Sequence, residues 1–180
     1  ITVSNSSYTM AMDRARSLQI DREDMDETGV ASLAGQILGE YVRTKVVPEC
    51  DAYVISKLAG LSQSRANTLE GDVDAPFETL INLINKVQDT VGYDEELVCF
   101  VDGEMYAALQ NTTEFQKQVV ISEFKKGEIS TKIKSIDGVA IIPVSSARMK
   151  SLYNFEEDGD DANKGGFSAD DNAVDIRMLV

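Results

Sequence analysis

Acidic side chains are the residues of this sequence with the clearest capacity for chemistry. The chain carries 31 Asp and Glu against 17 Lys and Arg, which gives a formal net charge of −14. An EF-hand calcium loop needs acidic ligands at alternate positions, a central glycine and a terminal glutamate. Counted from Asp158 or from Asp161, the twelfth position is Ala169 or Asn172, so neither register fits. We therefore expect a solvated surface loop at the densest acidic run, which comprises Glu156, Glu157, Asp158, Asp160 and Asp161.

A second acidic position follows the short apolar run Leu97–Val101 and opens a helical pattern. Such strand-to-helix corners are where α/β proteins bind anions. Here the corner carries Asp102 and Glu104, which repel anions, and no Gly-x-Gly-x-x-Gly is present. We therefore predict that Asp102 caps a short helix, Glu104–Gln110. The alternative is a small α/β enzyme or ligand-binding module that uses these carboxylates, and it requires a deep pocket joining carboxylates of perturbed pKa.

Two further charged clusters fit surface roles better than catalytic ones. The first, near the amino terminus, has no apolar pocket nearby, so we expect exposed ion pairs; it comprises Asp13, Arg14, Arg16, Asp21, Arg22, Glu23 and Asp24. The second is the one basic concentration in the sequence, and we predict a solvated face or a contact patch; it comprises Lys125, Lys126, Lys132 and Lys134.

Histidine is absent from the chain. Its absence removes the Ser-His-Asp and Cys-His triads, zinc sites with imidazole ligands and the commonest general base near neutral pH. This is the strongest argument in the sequence against an enzyme, and we predict no catalytic residue, no cofactor and no metal ligand. Cys50 and Cys99 do not form a Cys-x-x-Cys pair, so we expect two free thiols in a reducing compartment.

The length and the net charge of the chain limit the classes of protein to which it can belong. At 180 residues the chain makes one domain or two small ones and can bury a core. The net negative charge argues against sequence-independent binding to nucleic acid, which relies on clustered Lys and Arg. We predict no membrane span, because no apolar run reaches about 18 residues, and no secretory signal. The chain lacks an initiating Met and stops within an apolar strand pattern, so we expect a fragment or a processed product.

The longest helical pattern runs from Thr28 to Leu61. From Val30 to Val42 its apolar residues recur at spacings of three and four, which is typical of a helix that packs one face on a core. A second helical run follows through Cys50, Tyr53, Val54, Leu58 and Leu61, and its direction is left open. Glu40 and Arg43 lie three residues apart on the other face and can pair. Pro48 has no N–H and crowds the preceding turn, so we predict a kink or break there.

The flanking segments complete the prediction. Residues 1–27 alternate weakly and favour a two-stranded arm, which needs a neighbour to lie on. Pro76–Val91 is a second helix, with Asp74 as its cap and Gly92 as its stop. Leu97–Val101 is a strand buried on both faces. A helical piece capped by Thr112 or Thr113 extends through Val119 and Val120 to Ile121.

The carboxyl-terminal third is expected to be mostly β. Ile129–Val144 is a hairpin whose turn, Asp137-Gly138, matches strand twist. Pro143 is expected at an edge or near a strand end. Val174–Val180 is expected to form a last strand.

The order of these elements resembles the major capsid proteins of tailed bacteriophages, which share the Hong Kong phage fold with encapsulins. Four stretches carry the likeness, in their order and wording: YTMAMDRARSLQIDREDMDET (Tyr8–Thr28), LAGQILGEYVRTKVVPECDAY (Leu33–Tyr53), ELVCFVDGEMYAALQ (Glu96–Gln110) and GEISTKIKSIDGVAIIPVSSARM (Gly127–Met149). They are similar to that family's strand arm, its long spine helix, and a strand–helix and a hairpin of its axial domain. The family's amino-terminal arm and its return to the peripheral domain are missing, so the resemblance implies a partial subunit.

The resemblance implies an α+β capsid fold in three parts: an extended β arm at 1–27, the spine helix and a connection at 28–71, and a compact axial-type sheet-and-helix domain at 72–180. It implies a structural head protein that self-assembles, in a bacterial cytoplasm, into an icosahedral shell around DNA. Partners are then neighbouring copies, with scaffolding and portal proteins, without specific nucleic-acid binding. An encapsulin-like compartment holding a cargo enzyme stays open as an alternative.

Contact residues follow from this assembly role. We predict that the arm, around Met10, Arg14 and Arg16, lies over a neighbouring subunit, because it has few partners of its own. We predict lateral contacts for the long helix, with Glu40 and Arg43 among the contact residues.

Overall fold

The computed structural model describes Ser7 and residues 31–126, 129–155 and 166–180. Apart from Ser7, the arm predicted at 1–27 and the acidic run at 156–161 lie outside the described residues. The fold is α+β. The chain divides into two compact units, Ile1–Val42 (unit 1) and Arg43–Val180 (unit 2). The division at residues 27 and 71 stays a prediction.

Helical segments follow one another through the predicted long helix. Helix α1 is Ala31–Tyr41, a π-helical segment covers Val42–Val46, and helix α2 is Val47–Ser64. Pro48 is the second residue of α2, and the residue before this helix, Val46, is itself in α-helical conformation. The interruption predicted near Pro48 is thus a change of helix type: the π-helical segment ends at Val46, and α-helix resumes at Val47.

The second predicted helix has the expected bounds, because α3 is Pro76–Val91. Gly92 ends it, with φ of +112° and its N–H donated to the Gln88 carbonyl. The predicted cap Asp74 is wrong. Ala75 holds the N-cap position without a side-chain hydrogen bond, and the Asp74 N–H is instead bonded to the Asp72 carboxylate at 2.9 Å.

Unit 2 contains a five-stranded sheet. Its strands are β1 Val98–Asp102, β2 Val120–Lys126, β3 Ile129–Ile136, β4 Val139–Val144 and β7 Met178–Leu179. They lie side by side in the order β2-β3-β4-β1-β7. Strands β1 and β4 are parallel, and the other pairs are antiparallel. Between them lie α4 Gly103–Asn111, α5 Thr113–Gln118, a 3₁₀ turn Ser146–Arg148, and a two-stranded sheet of β5 Tyr153–Asn154 and β6 Ser168–Ala169.

Three expectations for this region need correction. The first strand is fully buried on one face only, through Cys99 and Val101, while Phe100 is half-buried. The helical piece stops at Gln118, because Val120 begins β2 and pairs with Ser135. The last strand is shorter than predicted: β7 has two residues, preceded by a single bridge between Lys150 and Asp175.

The predicted hairpin and its turn are confirmed. Asp137 and Gly138 both have positive φ, at 48° and 81°, which is the geometry of a two-residue type I′ turn. Pro143 is next to last in β4, beyond Ile141, the last residue of β4 that pairs with β3. Its position near a strand end agrees with the prediction, because proline has no N–H for a second ladder.

The core of unit 2 lies between α3, α4 and the sheet. Leu80 and Ile84 from α3 and Met105 and Leu109 from α4 contact the strands there. The remaining buried members are Cys99, Val101, Phe115, Ile136, Val139 and Ile141. This core accounts for the apolar spacing of the predicted helix and strand, and it holds β1 and the corner after it in place.

Two Gly→Ala changes test the backbone requirement. Gly138→Ala is expected to lower the free energy of unfolding by about 1 kcal/mol, because alanine is strained at positive φ. Gly60→Ala, on an exposed part of α2 with no atom within 4 Å of the added Cβ, is expected to raise it by about 0.5–1 kcal/mol. Urea denaturation of both variants measures the two signs, and effects of equal sign would contradict this assignment of the turn.

Candidate functional site

The predicted contact residues are only partly described. Met10, Arg14 and Arg16 lie outside the described residues. Glu40 in unit 1 and Arg43 in unit 2 are both exposed. Their role in subunit contacts stays a prediction.

One face of α2 is anchored to the rest of unit 2. Ala52 and Ile55 are buried. The Asp51 carboxylate accepts a hydrogen bond from the Arg148 guanidinium at 3.0 Å, and both side chains are partly exposed. The ring of Tyr53 meets Phe155 edge-on, with centroids 5.5 Å apart. These contacts fix which face of the helix points away from the core.

The outward face of α2 is apolar. Val54 is 52% exposed, and its neighbours along the same face are exposed to a similar degree. We call this face the apolar stripe; it comprises Val47, Cys50, Val54, Leu58 and Leu61. The sequence predicted a helical run through Cys50, Val54, Leu58 and Leu61 and left the direction of this run after Pro48 open. The available signal was that apolar residues occur on two faces of α2, with Ile55 on one and Val54 on the other.

Among the described residues of unit 2, two grooves can be compared. The larger, of about 490 Å³, runs between the end of α2, α3 and the last residues of the chain. The smaller, of about 260 Å³, adjoins the apolar stripe and is lined by Leu58, Leu61, Ser62, Arg65, Asn67, Phe100, Leu179 and Val180. The larger groove has one acidic lining residue, Asp175. A hydrogen bond from Lys150 lowers the pKa of Asp175, so this carboxylate is ionised near neutral pH and unsuited to act as an acid.

The corner after β1 is a structural site. The Asp102 side chain is 1% exposed, and its Oδ1 accepts from the Met105 N–H at 2.7 Å, which confirms the predicted helix cap. Its Oδ2 accepts from the Arg177 guanidinium at 2.9 Å, and Arg177 also pairs with Glu104. The bond to Asp102 is the main cause that raises the pKa of Arg177 above its ordinary value. Both carboxylates proposed for the enzyme alternative are therefore engaged by one arginine that joins β1, α4 and the end of the chain.

Within residues 31–126, 129–155 and 166–180, no group of three His, Cys, Asp or Glu could hold a metal ion. Of the helices in the described part of the chain, none has the length and apolar character that a membrane crossing requires.

Lys134, from the predicted basic patch, lies over the rings of Tyr106 and Phe115, with its Nζ 5.3 and 5.9 Å from their centroids. This lysine covers aromatic surface.

The two free cysteines differ in access to solvent. Cys50 is exposed, whereas Cys99 is buried in the core and its burial raises the thiol pKa to about 12. At pH 8 we expect a thiol reagent to modify Cys50 in the native protein and to modify Cys99 more than about 100-fold more slowly, because Cys99 must first be exposed by unfolding.

A titration of thiols measures this difference, with one thiol expected in the native protein and two in the urea-unfolded protein. Equal labelling of both thiols in the native protein would contradict the burial of Cys99.

The raised pKa of Cys99 also has a consequence for stability. Since the unfolded thiol ionises near pH 9 and the folded one does not, the free energy of unfolding is expected to fall as the pH rises from about 9 towards 12.

Comparison with known proteins gave no relative: no family model, no curated protein and no solved structure matches the chain.

Proposed function

We propose that the chain is a structural major capsid protein of a tailed bacteriophage or prophage. In this role many copies, assembled in the bacterial cytoplasm with scaffolding and portal proteins, form the icosahedral shell of the virion around packaged DNA. The subunit works through its contacts with neighbours and uses no catalytic residue, cofactor or metal.

The observation that carries the proposal is the apolar stripe of α2. Exposed apolar residues scattered singly are ordinary, but a row of them along one helix face is typical of protein–protein contact. The opposite face of the same helix is held by Ala52, Ile55 and the Asp51–Arg148 pair. The stripe is thus presented outward by a fixed helix, as an assembly contact requires.

Three further features support a structural role. Strand β1, which α4 follows, and the hairpin β3–β4 lie in one sheet of unit 2, in the chain order that the capsid resemblance implies. Asp102 and Glu104, the carboxylates of the enzyme alternative, are both engaged by Arg177. A net charge of −14 also suits a container for DNA, because it disfavours tight adhesion to the packaged polyanion.

Electron microscopy of the purified full-length protein tests the proposal. Closed, uniform particles are the expected result, and a protein that stays monomeric at high concentration without particles would contradict it.

The arm prediction is tested by Arg14→Glu combined with Arg16→Glu, which is expected to lower the particle yield at least about tenfold, since reversed charges oppose docking on a neighbour. The control with the same change in charge is Lys86→Glu combined with Lys117→Glu, and equal yields from both double variants would contradict an arm contact.

A further inference from the structure

The residues of the apolar stripe are spaced symmetrically along α2. Cys50 and Leu58 each lie four residues from Val54, and Val47 and Leu61 each lie seven residues from it. Reversing the helix end for end therefore exchanges Val47 with Leu61 and Cys50 with Leu58, and leaves Val54 in place. Two copies of this helix can therefore meet about a two-fold axis with apolar residues opposite one another, which is the register that an isologous contact requires.

The distribution of charge determines which face two copies of the chain can bring together. Two chains of net charge −14 repel one another, so they can approach best through the least charged surface. The stripe itself carries no charge. Helix α2 carries Glu49, Asp51 and Lys57, and Asp51 is paired with Arg148. The helix is therefore close to neutral in a strongly acidic chain.

The size of the stripe sets the expected strength of the contact. A helix of 18 residues is about 27 Å long. One such face buries less than the roughly 800 Å² per partner of a standard stable complex. Phe100 and Leu179, beside the smaller groove, extend the apolar surface. The contact alone is thus expected to be weak and reversible, as suits a contact that a shell repeats many times.

From these observations we infer that α2 is a self-association helix. Two copies of the chain pack their apolar stripes antiparallel, with Val54 of each copy facing Val54 of the other at a two-fold axis. The choice of a second copy as partner rests on the proposed capsid function.

Disulfide crosslinking in a Cys50→Ser background tests this contact, because the remaining Cys99 is buried. Val54→Cys is expected to form a crosslinked dimer in at least half of the protein under a mild oxidant, since two-fold symmetry brings the two thiols together. The matched control is Gln63→Cys, which is exposed, lies nine residues further along α2 and so faces the opposite side of the helix. It is expected to crosslink at least about tenfold more slowly.

The register and direction are tested by two more variants in the same background. Val47→Cys and Leu61→Cys are each expected to stay uncrosslinked alone and to crosslink when mixed, because antiparallel packing places residue 47 opposite residue 61.

Val54→Asp tests the contact without crosslinking. It is expected to abolish concentration-dependent dimerisation in sedimentation, while its unfolding midpoint stays close to that of the unaltered protein, because Val54 is exposed.

Three outcomes would overturn the inference: no crosslink at Val54→Cys in a protein that is monomeric on sedimentation, equal crosslinking at Gln63→Cys, or crosslinking of Val47→Cys alone, which indicates parallel packing. If closed particles form but Val54→Cys does not crosslink, the capsid function is retained and this contact is rejected. If Val54→Cys crosslinks but no particles form, the contact is retained and the capsid function is rejected.

Discussion

An Asp102→Ala variant is expected to lose about 3 kcal/mol of unfolding free energy, the largest effect we expect from a polar substitution in unit 2. Two losses combine. The Met105 N–H at the start of α4 loses its acceptor, which costs about 1 kcal/mol. Arg177 also loses its partner, and because its side chain is only 26% exposed, a charge remains with incomplete solvation. Urea denaturation followed by circular dichroism measures the change.

Two variants separate the contributions at this corner. Asp102→Asn retains an acceptor for the Met105 N–H but removes the charge, so an intermediate loss of about 1–2 kcal/mol is expected. Glu104→Gln is the control, because the Glu104 side chain is 62% exposed and its ion pair with Arg177 is expected to contribute less than about 1 kcal/mol. If Asp102→Ala were as stable as the unaltered protein, Asp102 would have no structural role and the enzyme alternative would gain support.

A Leu80→Ala variant is expected to destabilise unit 2 by about 3–4 kcal/mol. Leu80 is completely buried on α3, between the helix and the sheet, and truncation both removes apolar contacts and leaves a cavity. For a unit of this size the loss corresponds to a decrease in Tm of about 10 °C. Differential scanning calorimetry measures Tm, and urea denaturation gives the free energy.

The matched control is the same substitution at an exposed leucine. Leu152→Ala, at a position 51% exposed, is expected to change the stability by less than about 1 kcal/mol. A loss at Leu80 no greater than that at Leu152 would mean that α3 does not cover the core in solution. The apolar stripe of α2 behaves like Leu152 in this respect: its residues are expected to matter for association between copies and little for the folding of one chain.

These expectations separate the two kinds of apolar residue on which the proposed function depends. Leu80 and its neighbours hold unit 2 together, so changing them is expected to change the free energy of unfolding. Val54 and its neighbours lie outside the core, so changing them is expected to change only the association between copies. A protein whose function is to join copies of itself needs both, because the contact surface is useful only when the helix that carries it is held by the fold.

Local patterns alone determined several elements of this protein. Helix Pro76–Val91 follows from a proline at its start, apolar spacing of three and four and a glycine after its end. The Asp137-Gly138 hairpin turn and the helix cap at Asp102 depend on backbone geometry within a few residues, so sequence neighbours suffice to predict them. The cap Asp74 failed because Ala75, directly before Pro76, holds the N-cap position.

Tertiary structure alone decided the features that involve distant residues. Arg177 and Asp102 are 75 positions apart in sequence, and they meet because the end of the chain forms β7 beside β1. Helix α2 carries apolar residues on two faces, and periodicity cannot say which face is buried. The buried face is the one that packs against the 3₁₀ turn Ser146–Arg148 and β5, so Ile55 is buried and Val54 is exposed. The contacts of Arg148 with Asp51 and of Phe155 with Tyr53 accompany this packing. Burial depends on what folds back against a helix, and that information lies elsewhere in the chain.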